Sequence, residues 1–418
     1  MNENQQHSRR RGGRLALALV ALLIFGTGVM AGHSGLPVVG AADSLQNQEA
    51  FKAFEQAWNL IHENYVDPES IDDTKLIQGA TAGMVDALGD TGHSTYLSPL
   101  DVETSDPNLT GEYVGIGLSF DFSGIQPRVL YTLPESPAEK AGVLPGDVLT
   151  SVDGKRVDGL SATQLSQMLR GKEGTSVSLS FLRDGGATFD VDLVRSKITV
   201  NPVSWWMLPG HIAQIRIEEF SQGTGEKTAQ AVADAEAAGA TAFVLDLRSN
   251  PGGLLDELEK VSQVFLPTGS VIFQQEDRSG TIIDHAIGQG TDFAYPLAVL
   301  IDRGSASAAE ILAAALSENG AGTTIGQTTF GTGTVLNGFP LSDGGLLVLG
   351  VQLWLTPHGE QVWKVGVAPD IPVALDNLSD RVRPQTGKTM TSAQLKSSGD
   401  TQLQAAIDWI NDHGAGRG

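Results

Sequence analysis

Residues 297–316 read LAVLIDRGSASAAEILAAAL. The unbroken apolar run Leu297–Ile301 has the length of a strand buried on both faces. Asp302-Arg303-Gly304 interrupts it, and an Ala-rich helix begins at Ala308 with Ser307 directly ahead of it. A hydroxyl there stands at the positive end of the helix dipole, among backbone N–H groups without a partner inside the helix. That setting favours an oxyanion beside a nucleophile. It also has an ordinary explanation. Ser307-Ala308-Ala309-Glu310 is an S-x-x-E capping box, which needs no chemistry, and from this stretch by itself the cap is the commoner case.

Outward from that stretch the chain keeps the same texture. IAQIRI (212–217) precedes a helical Lys227–Ala238 and the strand AFVLDLR (242–248). A helix near Leu255–Phe265, a strand at Val271–Phe273 and the quoted strand follow, so 198–375 reads as a layered α/β core. Asp246-Leu247-Arg248-Ser249-Asn250-Pro251-Gly252-Gly253 carries a strand into a glycine turn, which can aim N–H groups at a developing negative oxygen. Thr329-Phe330-Gly331-Thr332-Gly333-Thr334-Val335 is a second glycine-flanked turn.

Residues 101–197 alternate short strands with turns. Gly115-Ile116-Gly117-Leu118 opens a strand, and SPAEKAGVLPGDVLTSVDG (136–154) holds a capped short helix, a tight turn and a hairpin signal in order. This ordered set resembles a PDZ domain, which binds an extended peptide as an added strand and holds its C-terminal carboxylate on backbone N–H groups. By that resemblance Gly115, Ile116, Gly117 and Leu118 form the carboxylate loop. Residues 49–100 read as helical, with Phe51, Phe54, Trp58 and Ile61 and then Leu76, Ala80, Met84 and Leu88 at helix spacing. Residues 376–418 read as a polar linker, 376–399, and a short amphipathic C-terminal helix.

Composition narrows the partners. Lys and Arg total 27 against 49 Asp and Glu, a net charge of −22, which repels nucleic-acid backbones and anionic membranes. There is no cysteine, so disulfides, thiolate metal sites and a cysteine nucleophile are excluded. The N-terminus carries Arg9, Arg10, Arg11 and Arg14, then the apolar run Leu15–Phe25, and no charge before Asp43. A basic segment 1–14 that stays in the cytoplasm, an apolar 15–34 and a linker 35–48 predict export. The apolar stretch serves as signal peptide or as signal anchor, and its length suits both.

These segments together resemble the carboxyl-terminal processing peptidases, or tail-specific proteases. The resemblance rests on Gly89–Leu97 (GDTGHSTYL), the PDZ string, DLRSNPGG, GSASAAE, TFGTGTV and GVAPD (366–370), in family order. It implies an α+β multidomain protein with an N-terminal helical region, a PDZ-like β-rich domain and a ClpP/crotonase-like α/β core. It further implies a serine peptidase acting on proteins with apolar C-terminal tails, without metal or organic cofactor, and a homodimer through the helical region. Ser307 takes the nucleophile's place; the N–H groups of Gly252 or Gly253, and of Ala308, take the oxyanion's.

One position departs from the family. Its general base is a lysine in a TFGKG-like turn; here that position is Thr332, and the glutamine expected four residues on is Leu336. A threonine hydroxyl is no base at neutral pH. Three readings follow: a peptidase with another base, a pseudopeptidase that binds tails without cutting, or a structural partner whose dimer surface matters most. His93 is the leading alternative base, since imidazole titrates near neutrality and serine–histidine pairs recur on unrelated scaffolds. A histidine also stands there in lysine-dependent members, so packing is its competing role. His358, Glu360 and Lys364 are the remaining candidates.

Overall fold

The computed structural model describes residues 49–90, 94–104, 112–121, 125–133, 136–144, 146–160, 165, 168–183, 186–199, 201–375 and 380–413. The export segment 1–48 and His93 lie outside them. Among the described residues no helix is long and apolar enough to cross a membrane.

The chain divides into two units. The smaller one contains α1 (Glu49–Asn64), a single 3₁₀ turn (Pro68–Ser70) and α2 (Asp73–Asp86). Asp72 caps α2 by accepting from the Lys75 N–H at 3.2 Å. Of its described residues only Val85 is buried; Phe54, Leu60, Ile61, Tyr65, Ile77, Met84 and Leu88 are exposed despite their helical spacing.

The larger unit begins with β1 (Thr95–Leu97) and α3 (Pro99–Thr104). Residues 95–97, expected in the helical region, are thus a strand; β1 takes part in a core sheet described below. Next comes the β-rich module: β2 (Glu112–Gly115), β3 (Leu118–Asp121), β4 (Arg128–Thr132), α4 (Pro137–Lys140), β5 (Val148–Val152), β6 (Lys155–Arg156), β7 (Ser176–Arg183), β8 (Ala187–Val194) and β9 (Ser196–Thr199). Its main sheet runs β3-β4-β5-β7-β8, with β6 on β5, while β2 pairs with β9. Alternate residues of β7, Val177, Leu179 and Phe181, point into a core with Leu149, Val152 and Leu165. Ser136 caps α4 as its sequence predicts. Asp147 holds the following turn, accepting from the Leu144 N–H and gripped by the Arg183 guanidinium at 2.7 Å.

The core contains β10 (Val203–Leu208), β11 (Ile212–Ile217), α5 (Thr224–Ala237), β12 (Ala242–Asp246), α6 (Leu255–Phe265), β13 (Val271–Glu276), β14 (Ile282–Ala286), β15 (Leu297–Ile301), α7 (Ala308–Glu318), β16 (Thr323–Gly326), β17 (Thr334–Pro340), β18 (Leu346–Leu355) and β19 (Ile371–Pro372). The main sheet runs β10-β11-β12-β15-β16-β19, antiparallel at the first pair and parallel thereafter. Its central strands are apolar on both faces because both are covered. Phe243, Leu245, Leu297, Val299 and Ile301 pack with α5, α6 and α7, whereas Val244, Ala298 and Leu300 meet Leu403, Ala406, Ile407 and Ile410 on the other side. Ala308–Leu316 of α7 is buried all round, so its small side chains let sheet and helices close on it. A second, antiparallel sheet runs β1-β18-β13-β14 with β17 on β18.

The C-terminal part differs from the linker expected over 376–399. Residues 380–396 are packed, with Arg381, Val382 and Leu395 buried, and they form α8 (Pro384–Gly387) and α9 (Ser392–Lys396) before α10 (Thr401–His413). Four buried positions, Gly387 being the fourth, among polar neighbours leave composition looking like a linker although the chain is held down.

Candidate active site

Two parallel strands set up the site. β12 and β15 are adjacent, so the turns that leave their C-terminal ends, Leu247–Leu254 and Asp302–Ser307, lie side by side. Asn250 ties them together. Fully buried, it accepts at its carbonyl from the Ala306 N–H at 2.9 Å and donates its amide to the Ile217 carbonyl at 2.9 Å. Its Oδ1 accepts from the Gly252 N–H at 2.8 Å.

Ser307 sits at the start of α7 with φ 54° and ψ −122°, a backbone conformation costly for a residue with a side chain. Gly252 packs directly against it: a Cβ there would lie 2.6 Å from the Ser307 Cβ. Gly253, at φ 142°, lies so close to Phe220 that a Cβ would fall 2.3 Å from its carbonyl oxygen. Both glycines are required by close approach. Their N–H groups are not equivalent, however. That of Gly252 is spent on Asn250, while those of Gly253 and Ala308 donate to no protein group among the described residues. Of the N–H groups expected from sequence to face an oxyanion, that of Gly252 is therefore already committed.

The capping-box residue Glu310 does more than cap. Its buried carboxylate accepts from the N–H groups of Ser307 (2.8 Å), Gly331 (2.6 Å) and Thr332 (2.9 Å) and from the Thr329 hydroxyl (2.5 Å). Burial pushes this carboxyl up, and the four hydrogen bonds pull it back. Glu310 therefore pins the 329–332 turn to the serine. Thr332 is buried, and its hydroxyl accepts from the Ser307 N–H at 3.2 Å. Thr332, at the position where the family resemblance implies a lysine, thus lies beside the serine, and its hydroxyl is no base at neutral pH. Leu336 is buried in a small apolar cluster with Leu97 and Val348.

The other candidates are placed as follows. His358 is exposed, with its Nδ1 3.4 Å from Glu318 at the far end of α7, about 16 Å along the helix from Ser307 at 1.5 Å per residue. Glu360 lies in the same turn as His358, its N–H on the Thr356 hydroxyl. Lys364 backs onto the 329–332 turn through its N–H to the Gly331 carbonyl, but its ammonium lies 4.2 Å from the Trp363 ring centroid. In the β-rich module, Gly115 ends β2, Leu118 starts β3, Ile116 is buried and Gly117 has φ 78° with Ser136 packed where a Cβ would be. Asn250 and the extra bonds of Glu310 were not read from the sequence. The capping-box spacing marks Glu310, but no local pattern shows that its carboxylate reaches a turn twenty residues on.

Comparison with known proteins agrees with this geometry. Residues 211–373 match the model of peptidase family S41, residues 128–183 a PDZ domain, and residues 34–104 the N-terminal domain of the activating protease CtpB. The chain belongs to the carboxy-terminal processing serine protease family, with a PDZ domain. It is 33% identical to the carboxy-terminal processing protease CtpA of Bacillus subtilis, over 94% of this chain and 81% of that one. It is 33% identical to CtpB of the same organism, over 85% and 76%. Among solved structures it resembles a photosystem II D1 C-terminal processing protease at a TM-score of 0.53 and 28% identity, covering 82% of this chain and 96% of that one.

Proposed function

We propose that the protein is an exported serine-type endopeptidase that cleaves proteins near C-terminal tails recognised by its PDZ domain. The backbone of Ser307 carries this reading. A left-handed serine wedged between Gly252 and the first turn of α7 is strained, and such strain persists where the surroundings impose it for a purpose. In the reaction, the Ser307 hydroxyl attacks the scissile carbonyl and passes its proton to a base, for which His93 is proposed. The oxyanion is held by the Gly253 and Ala308 N–H groups, and the base returns the proton to the leaving amine. Ser307 is only 6% exposed. The tail's carboxylate is assigned to the Gly115–Leu118 loop. The basic and apolar N-terminus assigns the protein to the outside of the membrane, tethered or released. The exposed apolar faces of α1 and α2 assign a homodimer contact to the helical region.

The test is cleavage of an unfolded protein with an apolar tail. Wild-type turnover with none in Ser307→Ala supports the reading, and equal trace cleavage by both removes it. His93→Ala abolishes turnover if the imidazole is the base and leaves it within a few-fold if it only packs.

One observation favours a second reading, a pseudopeptidase that grips tails without cutting them. Thr332 occupies the base position and is buried against Ser307. On this reading tails bind without turnover. Gly117→Val, which drives a side chain into Ser136, weakens tail binding by at least tenfold under both readings. If amidated tails bind as well as free carboxylates, the assigned carboxylate loop is wrong.

A further inference from the structure

We infer that Arg381 and Asp400, from the C-terminal segment, are positioning residues that hold the two oxyanion turns in register across the sheet. The inference rests on the reading of Ser307 as a nucleophile. Its oxyanion pair comes from two different turns: Gly253 follows β12, and Ala308 follows β15. Hydrogen bonds within either turn cannot fix the spacing between them.

Asp302 joins the turns a second time, beyond the Asn250 link. Its Oδ1 accepts from the Ser249 N–H at 2.7 Å in the first turn and from the Gly304 N–H at 2.9 Å in the second. Ser305 adds a cross-link, its hydroxyl donating to the Leu247 carbonyl at 2.8 Å. The second oxygen of Asp302 is taken by the Arg381 guanidinium at 2.5 Å. That guanidinium also reaches the Ser249 hydroxyl at 3.2 Å. One side chain from the C-terminal segment thus grips both turns at once.

Asp400 holds the same segment from its other end. It takes the Arg248 guanidinium at 2.7 and 3.1 Å and accepts from the Val382 N–H at 2.9 Å, so the residue after Arg381 is fixed to the start of the first turn. All four groups, Arg248, Asp302, Arg381 and Asp400, are buried. A buried fork bonded to several fixed acceptors is a rigid brace, because each bond restricts the others. The polar residues from 380 to 400 are then held down for a reason: they carry the brace.

The test uses the full chain with R381M/D302N, which removes both buried charges together, with Arg381→Lys as the conservative variant. The first readout is binding of a peptide boronic acid with an apolar side chain, followed by ¹¹B NMR for the tetrahedral Ser307 adduct, against the same peptide as an amide. We expect the double variant to lose at least tenfold in boronate affinity while amide affinity stays within twofold, and Arg381→Lys to fall between. The second readout is amide hydrogen exchange by mass spectrometry. Residues 249–254 and 303–308 should lose protection together, in the double variant and also in Asp400→Asn, while β11 keeps its own. Parallel loss of boronate and amide affinity, or unchanged exchange in the two turns, overturns the inference. A wild-type protein that forms no tetrahedral adduct strikes the nucleophile reading instead, and the exchange data then decide the brace.

Discussion

The core around Ser307 and the helical pair α1–α2 solve opposite problems. The core buries charge: Arg248, Asp246, Asp400 and Arg381 are almost wholly removed from water, and each is answered by a partner. The helical pair exposes oil: Leu60, Ile61, Tyr65, Ile77, Met84 and Leu88 face solvent, with Val85 the only described side chain inside. Buried ion pairs contribute little net stability but make a fold intolerant of losing one partner. Exposed apolar faces contribute nothing until something covers them. The first region therefore answers its charges within one chain, and the second leaves its apolar faces uncovered.

Breaking the core should cost most. Burial alone would push the Asp246 carboxyl up, but the Arg248 guanidinium, with Arg216 and Arg381, holds it well below the usual carboxylate range. Burial brings Arg381 down to about 10, against the pull of Asp302. Arg248→Met strands Asp400 without its cation and leaves Asp246 with only the longer Arg216 contact at 3.4 Å, and about 3–5 kcal/mol of stability should go. Urea denaturation measures it; a loss under about 1 kcal/mol would mean the interior is wetter than the geometry implies. Since the Asp246 value is depressed, its contribution is present above the unfolded carboxyl range and is lost as pH falls through the folded value.

The helical pair should respond in the other way. Leu60→Glu with Met84→Glu places charge on faces that are 57% and 64% exposed, so the stability of the core should stay within about 0.5 kcal/mol. The proposed dimer, by contrast, should dissociate at micromolar protein in sedimentation velocity. If the wild-type protein is already a monomer there, the contact is not where these faces put it.

How far the sequence could be read follows the same divide between local and distant causes. The central strands show as continuous apolar runs, and the serine shows as a cap between strand and helix, because both signals are local. The PDZ turns are local too, as Ser136 capping α4 and Asp147 closing the next turn illustrate. What could not be read depends on partners far along the chain. Residues 380–396 look like a linker because Arg381 and Asp400 find Asp302 and Arg248 only in the fold. The Gly252 N–H is an exception to that divide, since its partner Asn250 is only two residues back. The placement of Thr95–Leu97 does depend on a distant partner: β1 is three residues long and is a strand only because Leu346–Val348 lies beside it.

The smallest effect expected is a titration within the helical pair. Each ring nitrogen of His62 faces an acceptor, Nδ1 at 2.9 Å from the Trp58 carbonyl and Nε2 at 2.8 Å from the Asp73 carboxylate across the turn, and the protonated ring donates to both. The Trp58 carbonyl and then Asp73 raise its pKa above the ordinary 6.5. Asp72, Glu69 and Lys75 line the same hollow. Because the folded value is the higher one, the clip between α1 and α2 is fully present below the unfolded value and is lost as pH rises through the folded one. NMR titration of the imidazole should find its midpoint above 6.5. Asp73→Asn should lower that midpoint only in part, because the Trp58 carbonyl, the larger cause, remains. A midpoint that Asp73→Asn leaves unmoved would show that the two helices are not joined through this pair.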